Sequence, residues 1–149
     1  MKKLKLVNSD AIVLVDDDIF ERVKDCVWFV DSVGYPSTWL KFKVSRLHTF
    51  VLGKHVDHID RNKFNNLRSN LRKATSSQNG ANVTKRLKNA TSQYKGVAWM
   101  PSRNKWRARI KFMYESIHLG LFDNEVDAAK AYNKAAKSYF GEYALLNNI

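Results

Sequence analysis

Between Lys105 and Phe112 the chain alternates without a break. Lys105, Arg107, Arg109 and Lys111 take every second position, and Trp106, Ala108, Ile110 and Phe112 fill the positions between them. Successive side chains on extended backbone point to opposite faces, so a period of two specifies a half-buried strand. One face must then lie on a core, while the other presents four cations in a row. Tyr94 to Met100 before it, joined by Pro101-Ser102-Arg103-Asn104, and Glu115 to Gly120 after it complete a three-stranded antiparallel meander. Asp123 or Asn124 then caps a helix running to about Phe140. Its Ala128, Ala129, Tyr132, Ala135, Ala136 and Tyr139 form an apolar stripe at spacings of 3, 4 and 7. Alanines on that stripe let the helix approach the sheet closely, so it reads as core.

The cations extend well beyond this strand. The 149-residue chain carries 26 Lys and Arg against 14 Asp and Glu, a net charge of +12. Eighteen of the 26 lie from Lys41 to Lys111, where the only carboxylates are Asp57 and Asp60. A solvated surface intersperses the two signs, so a one-signed tract reads as an electrostatic footprint for nucleic acid. A membrane surface fits less well, because no amphipathic helix carries these cations. At 44% hydrophobic and 27% charged residues the composition is globular. The single cysteine, Cys26, excludes an internal disulfide framework and any multi-cysteine zinc knuckle. No run approaches the ~18–20 apolar residues of a membrane span, and no apolar signal core follows Met1-Lys2-Lys3-Leu4-Lys5. The expectation is a soluble cytoplasmic protein with a polyanionic partner, no membrane and no small-molecule substrate.

Residues 1–53 read as a small α+β segment. Ala11 to Val15 suits a strand, and Asp16, Asp17 and Asp18 place carboxylates at a helix start, where they are favourable. Cys26 to Val30 reads as a second strand, turned by Asp31-Ser32-Val33-Gly34 into an extended run from Tyr35 through Val44. Trp28, Phe29, Tyr35 and Trp39 are expected in the core, with Cys26 as a small buried hydrophobe. Residues 54–83 follow as strand (Val56 to Asp60), Asn-rich loop (Arg61 to Asn70), strand (Leu71 to Ala74) and a short helix. Thr75 with Gln78 three residues later forms a capping box at the start of that helix. A unit this small needs support from the first segment or from a metal. Residues 84–93 have one Leu and no period and read as a linker. Its Lys85 and Arg86 either sit in solvent or follow a phosphate backbone.

Asp57-His58, Asn70 and Asn79 stand inside the basic tract. Phosphodiester hydrolysis needs a base to activate water and a cation to stabilise charge on the phosphate and leaving oxygen. A histidine suits the base, and Asp and Asn supply hard oxygen ligands for Mg²⁺ or Mn²⁺ rather than for zinc. An isolated Asp-His pair more often forms a plain hydrogen-bonded surface pair. Neighbours on a regular strand also point apart, so Asp57 and His58 converge only where the strand bends or ends.

Val56-Asp57-His58-Ile59-Asp60, then Asn65-Asn66-Leu67-Arg68-Ser69-Asn70-Leu71-Arg72, then Gln78-Asn79-Gly80-Ala81-Asn82 resemble the His-Asn-His (HNH) motif of phage homing endonucleases. The resemblance implies a ββα-metal fold holding one divalent ion, Mg²⁺ with Mn²⁺ as the alternative, over the scissile phosphate of double-stranded DNA. It implies His58 as general base, Asp57 and Asn79 as metal ligands, and Asn70 as the residue that braces the motif and orients the base. Arg46-Leu47-His48 also matches the pattern before the motif; His48 lines the site, packs, or contacts phosphate.

The C-terminal segment resembles a second family. Tyr94-Lys95-Gly96-Val97-Ala98-Trp99, Trp106-Arg107-Ala108-Arg109-Ile110, His118-Leu119-Gly120-Leu121-Phe122 and the Ala-rich helix look like an Apetala-2/ethylene-response-factor DNA-binding domain. By matching position, Lys95, Trp99, Arg109, Lys111 and His118 are expected at DNA, together with Arg107, Arg72, Lys85 and Arg86 of the basic tract. Ala98, Met100, Ser102 and Ser116 stand where the plant domains carry arginine, so their target sequence does not transfer. The division expected is 1–53 (support), 54–83 (nuclease motif), 84–93 (linker) and 94–149 (DNA-binding domain). The leading expectation is a homing-type DNA endonuclease that nicks or cuts both strands, located in the host cytoplasm if phage-encoded. A non-catalytic DNA-binding regulator on the same scaffold is the alternative. An RNA binder with Trp99 stacking on bases comes third.

Overall fold

The computed structural model describes residues 1–84 and 90–149, so the expected phosphate contacts Lys85 and Arg86 lie outside the described residues. Contacts gather into two units, Met1–Thr75 and Ser76–Ile149. Among the described residues no helix is long and apolar enough to cross a membrane.

In the first unit Lys2–Leu6 (β1) and Ser9–Val15 (β2) form an antiparallel hairpin with Leu4 opposite Val13. The sequence reading had only β2. Lysines alternate with Leu4 and Leu6 in β1, so the strand buries both leucines beneath a charged outer face. Asp17–Val23 (α1) starts at the three aspartates as expected, with Asp16 at the N-cap position. Phe29–Val30 (β3), Pro36–Leu40 (β4) and Lys43–Arg46 (β5) make a three-stranded antiparallel sheet in that order. The expected strand from Cys26 to Val30 thus shrinks to two residues, and the run from Tyr35 through Val44 is broken in two. The break is a two-residue turn, Lys41-Phe42, in which both residues have positive φ (44° and 66°). Two left-handed residues are what a type I′ hairpin turn requires, and Asn-Gly is its usual sequence.

Leu47–Leu52 (α2) follows and ends at Gly53. Val56–His58 (β6) then pairs antiparallel with Leu71–Lys73 (β7), with a 3-10 turn at Arg68–Asn70 between them. The core of this unit is Leu4, Leu6, Val13, Val15, Ile19, Val23, Trp28 and Leu47, and Cys26 packs partly buried against it. Trp28 buries its ring while its indole N–H donates to the Val23 carbonyl at 2.9 Å. Trp39, expected in the core, is instead 65% exposed, because β4 leaves the body of the unit after Thr38.

In the second unit Ser76–Ala81 (α3) begins directly after Thr75, where the capping box placed it. Val97–Met100 (β8), Lys105–Phe112 (β9) and Glu115–Phe122 (β10) form an antiparallel meander with β9 in the centre. Glu125–Phe140 (α4) covers one face of it, and the Asn124 side chain accepts from the Val126 amide at 2.7 Å to cap the helix. Ala128, Ala129, Tyr132, Ala136 and Phe140 are buried, together with Ala108 and Ile110 of β9. Tyr139, assigned to the stripe, lies at its margin and stacks on Phe112 with ring centroids 4.8 Å apart. Tyr132 leaves no room at Gly96, where an added Cβ would stand 2.0 Å from the ring at φ +77°. Only glycine suits both the conformation and the approach.

Candidate active site and cationic sheet

Pairing β6 with β7 places Asp57 opposite Arg72 and His58 opposite Leu71. Cross-strand partners share a face of the sheet. Arg72 therefore reaches the Asp57 carboxylate, donating to Oδ2 from Nη2 at 2.9 Å and from Nε at 3.0 Å. Both side chains are nearly buried, 12% exposed for Arg72 and 5% for Asp57. The sequence reading put Arg72 at phosphate; the structure puts it on the carboxylate assigned to metal. β6 ends at His58.

His58 is buried, and Tyr35 and His48 surround its ring at centroid distances of 6.1 and 5.4 Å, the two imidazoles almost perpendicular. Its Nε2 faces the Asn66 Oδ1 at 3.4 Å. Asn66 is fully buried, and its Nδ2 donates to the Lys63 carbonyl at 2.9 Å, which fixes the carboxamide with its oxygen toward His58. An accepting oxygen there favours the tautomer with the proton on Nε2 and the lone pair on Nδ1. Burial pushes the His58 pKa below its ordinary 6.5, outweighing the Asn66 hydrogen bond and the carboxylates of Asp60 and Asp57. Burial, then the neighbouring His58 and Arg46, push His48 down to about 4. Both imidazoles are neutral at neutral pH, the state a general base requires. Arg46 and Lys63 both lie over the Tyr35 ring of this cluster, 4.6 and 4.3 Å from its centroid.

The Asn-rich loop is wired on both sides. Asn70 donates from Nδ2 to Asp60 Oδ1 and to the Asn65 carbonyl, both at 2.8 Å, and its Oδ1 accepts from the Asp60 amide at 3.0 Å. Asp60 also accepts from Asn65 and the Asn62 amide, and these donors lower its pKa although burial opposes them. Against the rest of the unit, the Leu14 amide donates to the Phe64 carbonyl and the Asn66 amide to the Leu14 carbonyl. Asp16 accepts from the Arg68 amide, and Asp18 takes the Arg68 guanidinium. The aspartates at the α1 start thus anchor the loop as well as the helix. Of the two asparagines, Asn66 faces the His58 ring, whereas Asn70 secures the loop that carries Asn66. Asn66 lies within the motif, but residue type and spacing alone assign it no role. Tyr35, read as core, had no signal linking it to His58, because their contact depends on how β4 folds back.

Asn79 lies on α3, part of the second unit, and is half-buried. Among the described residues no three His, Cys, Asp or Glu side chains gather as a cation cage. The expected donors, one carboxylate and one carboxamide, suit Mg²⁺, which keeps several waters and needs few protein ligands. Asp57 fits by donor type as a buried carboxylate, with the Arg72 guanidinium already balancing its charge.

The β9 alternation is realised as expected for a half-buried strand. Arg109, Lys111 and His118 are exposed, with Arg109 opposite His118 across β9 and β10. Arg107 is half-buried, and its Nε is buried without a hydrogen-bond partner among the described residues. Lys105 pairs with Asp123. Two residues expected at DNA are placed differently. Trp99 pairs across the sheet with Trp106, which puts it on the apolar side, the two rings 5.1 Å apart. Lys95 turns its ammonium to the end of α3 and donates to the carbonyls of Ala81 (2.5 Å), Val83 (2.7 Å) and Gly80 (3.3 Å). Burial brings its pKa down to about 8.

The HNH endonuclease family profile matches residues 52–81, the span from the end of α2 through β6, β7 and α3. Over 149 residues the chain is 36% identical to an uncharacterized HNH endonuclease of Acanthamoeba polyphaga mimivirus, an alignment covering 93% of this chain and 76% of that protein. A shorter stretch of 58 residues is 40% identical to Protein 3.8 of Escherichia phage T7, covering 39% of this chain and 47% of the phage protein.

Proposed function

Because the chain belongs to the HNH endonuclease family, we propose that it is a divalent-metal-dependent endonuclease of the homing type, hydrolysing double-stranded DNA with His58 as general base. The observation that carries this reading is the buried His58 with its Nε2 side turned to the Asn66 Oδ1. The His58 imidazole takes a proton from water, the water oxygen bonds to phosphorus, and the bond to the leaving sugar oxygen breaks. Asn66 holds the ring and its tautomer, and Asn70 holds the loop that carries Asn66. Tyr35 and His48 exclude water from the buried side of the imidazole. Asp57, with Asn79, would hold Mg²⁺ or Mn²⁺, which supplies charge stabilisation at the phosphate and the leaving oxygen.

Residues 54–83 carry the chemistry in this reading, 1–53 support it, 84–93 link, and 94–149 hold DNA on the Apetala-2-like sheet. Support for the last role is the face of β9 and β10 with Arg109, Lys111 and His118 exposed opposite a helix-covered apolar face. The test is conversion of supercoiled plasmid to nicked or linear form across a panel of divalent metals. Mg²⁺ should support conversion and EDTA should stop it; conversion that survives EDTA refutes the metal dependence. Arg109→Ala with Lys111→Ala should weaken binding before chemistry, and unchanged affinity would remove the sheet from the interface.

A further inference from the structure

The β4–β5 hairpin ends in a feature that neither the proposed active site nor the core explains. Phe42 is 99% exposed at the tip. It occupies the second position of a two-residue turn at φ 66°, after Lys41 at φ 44°. Left-handed backbone is costly for a bulky residue, and a turn of this type is served far better by Asn-Gly. Strain of this kind persists where function retains it. Here the retained side chain is a phenyl ring aimed away from the protein. Trp39 and Val44, cross-strand partners on one face below the tip, are exposed as well, and Phe29 stacks on Trp39 at 6.4 Å. The hairpin is thus an aromatic arm rather than a charged, blunted edge.

Its charge says what it meets. Lys41 and Lys43 flank Phe42 on both sides and are exposed, and among the described residues neither has a carboxylate partner. From Ser32 to Val56 the chain contains no Asp or Glu. A second copy of the same arm would bring lysine against lysine, whereas a phosphate backbone complements both. The second unit offers a contrast. The Met113-Tyr114 turn of β9–β10 has the same left-handed pair, but Glu115 follows its aromatic, and the Met113 amide is tied to Ser77.

We infer that the β4–β5 hairpin is a DNA wedge: Lys41 and Lys43 sit on phosphates while Phe42 inserts between base pairs and unstacks them. Apolar side chains placed between base steps kink and partly unwind the duplex, and flanking cations hold the deformed backbone. This rests on the chain acting on duplex DNA, and it adds to that reading a device that deforms the substrate.

The test uses the full chain with EDTA present, so that nothing is cut. Closed-circular plasmid is relaxed by a metal-independent topoisomerase with and without the protein, and affinity is measured on a short mixed-sequence duplex at low salt. Wild-type protein should lower the linking number of the relaxed plasmid. Phe42→Gly supplies the residue the turn favours, so its melting temperature should hold or rise. It should nonetheless abolish the linking-number change and weaken duplex binding roughly fivefold or more, the loss of about one aromatic–base stack. Phe42→Trp should restore both. Lys41→Ala with Lys43→Ala should reduce the slope of log affinity against log salt by about 2, while Phe42→Gly leaves that slope alone. Unwinding and affinity unchanged in Phe42→Gly would overturn the wedge while leaving the nuclease reading intact. So would a change confined to the oligomeric state. A wild-type chain that binds neither DNA would overturn the DNA reading beneath it.

Discussion

Replacing Arg72 by Met isolates what holds the Asp57 carboxylate. The guanidinium makes two hydrogen bonds to Oδ2, at 2.9 and 3.0 Å, and both partners are nearly buried. Removing one partner of such a pair strands a desolvated charge and typically costs about 3–5 kcal/mol. With a urea slope of about 1.5 kcal/mol per molar, that moves the unfolding midpoint of the first unit down by about 2–3 M. Asp57→Asn in the same background should return part of the loss, because the orphaned charge goes with it. If Asp57 also ligates a divalent ion, Mg²⁺ should raise the midpoint of Arg72→Met more than that of the wild type. At a hundredfold excess over its dissociation constant the ion contributes about 2.7 kcal/mol. Urea titrations with and without Mg²⁺, on both single variants and the double, supply every number. A midpoint in Arg72→Met within experimental error of wild type would refute the buried-pair argument. Equal Mg²⁺ responses in wild type and Arg72→Met would remove Asp57 from the metal site.

Asn66→Ala should lower the cleavage rate about two- to fivefold, since its 3.4 Å contact to His58 sits at the weak end of hydrogen bonding, and should cost stability as well by leaving the Lys63 carbonyl unmet; single-turnover rates and urea curves measure the two separately. Acid should act on stability in two windows. His48 and His58 have folded pKa values below the 6.5 of the unfolded chain, so the unfolded state takes up protons first. The His48 contribution is complete above about 6.5 and is lost as pH falls toward about 4, and that of His58 is likewise lost as pH falls below 6.5. Asp31, held down to about 2 against the cost of burial by the Tyr35 amide and Arg46, adds stability that disappears only as pH falls from 3.8 through 2. Thermal melts across pH should show the first loss attenuated in His48→Gln. Gly96→Ala should destabilise the second unit by about 2–4 kcal/mol, because the new methyl meets the Tyr132 ring in a left-handed conformation; a change within 0.5 kcal/mol would contradict the packing there.

The second unit was readable from sequence because one strict period of two and one helical stripe admitted a single arrangement, and Asn124 marked the start of α4. The first unit was less so. Lys41-Phe42 carries neither Gly nor Asn, so nothing announced a turn inside the run from Tyr35 to Val44. That missed turn is also why Trp39 read as core. At the site, spacing placed Asp57 and His58 on one short strand and Asn70 at the end of the loop that leads into the next. It could not tell Asn66 from Asn70 as the neighbour of His58, since that depends on how a loop hydrogen-bonded to Leu14 folds. Nor does a run of cations say which of them are bound internally. Arg72 sits on Asp57 and Lys95 on the α3 carbonyls, and in sequence both look like Arg109.

The most direct measurement is single-turnover cleavage of supercoiled plasmid by wild type and His58→Ala, with DNA binding followed in the same samples. A general base contributes about 10²–10⁴ to the rate. His58→Ala should therefore bind DNA with unchanged affinity and cut at least about a hundredfold more slowly. Cleavage by folded His58→Ala at the wild-type rate would contradict the assignment on which the account turns.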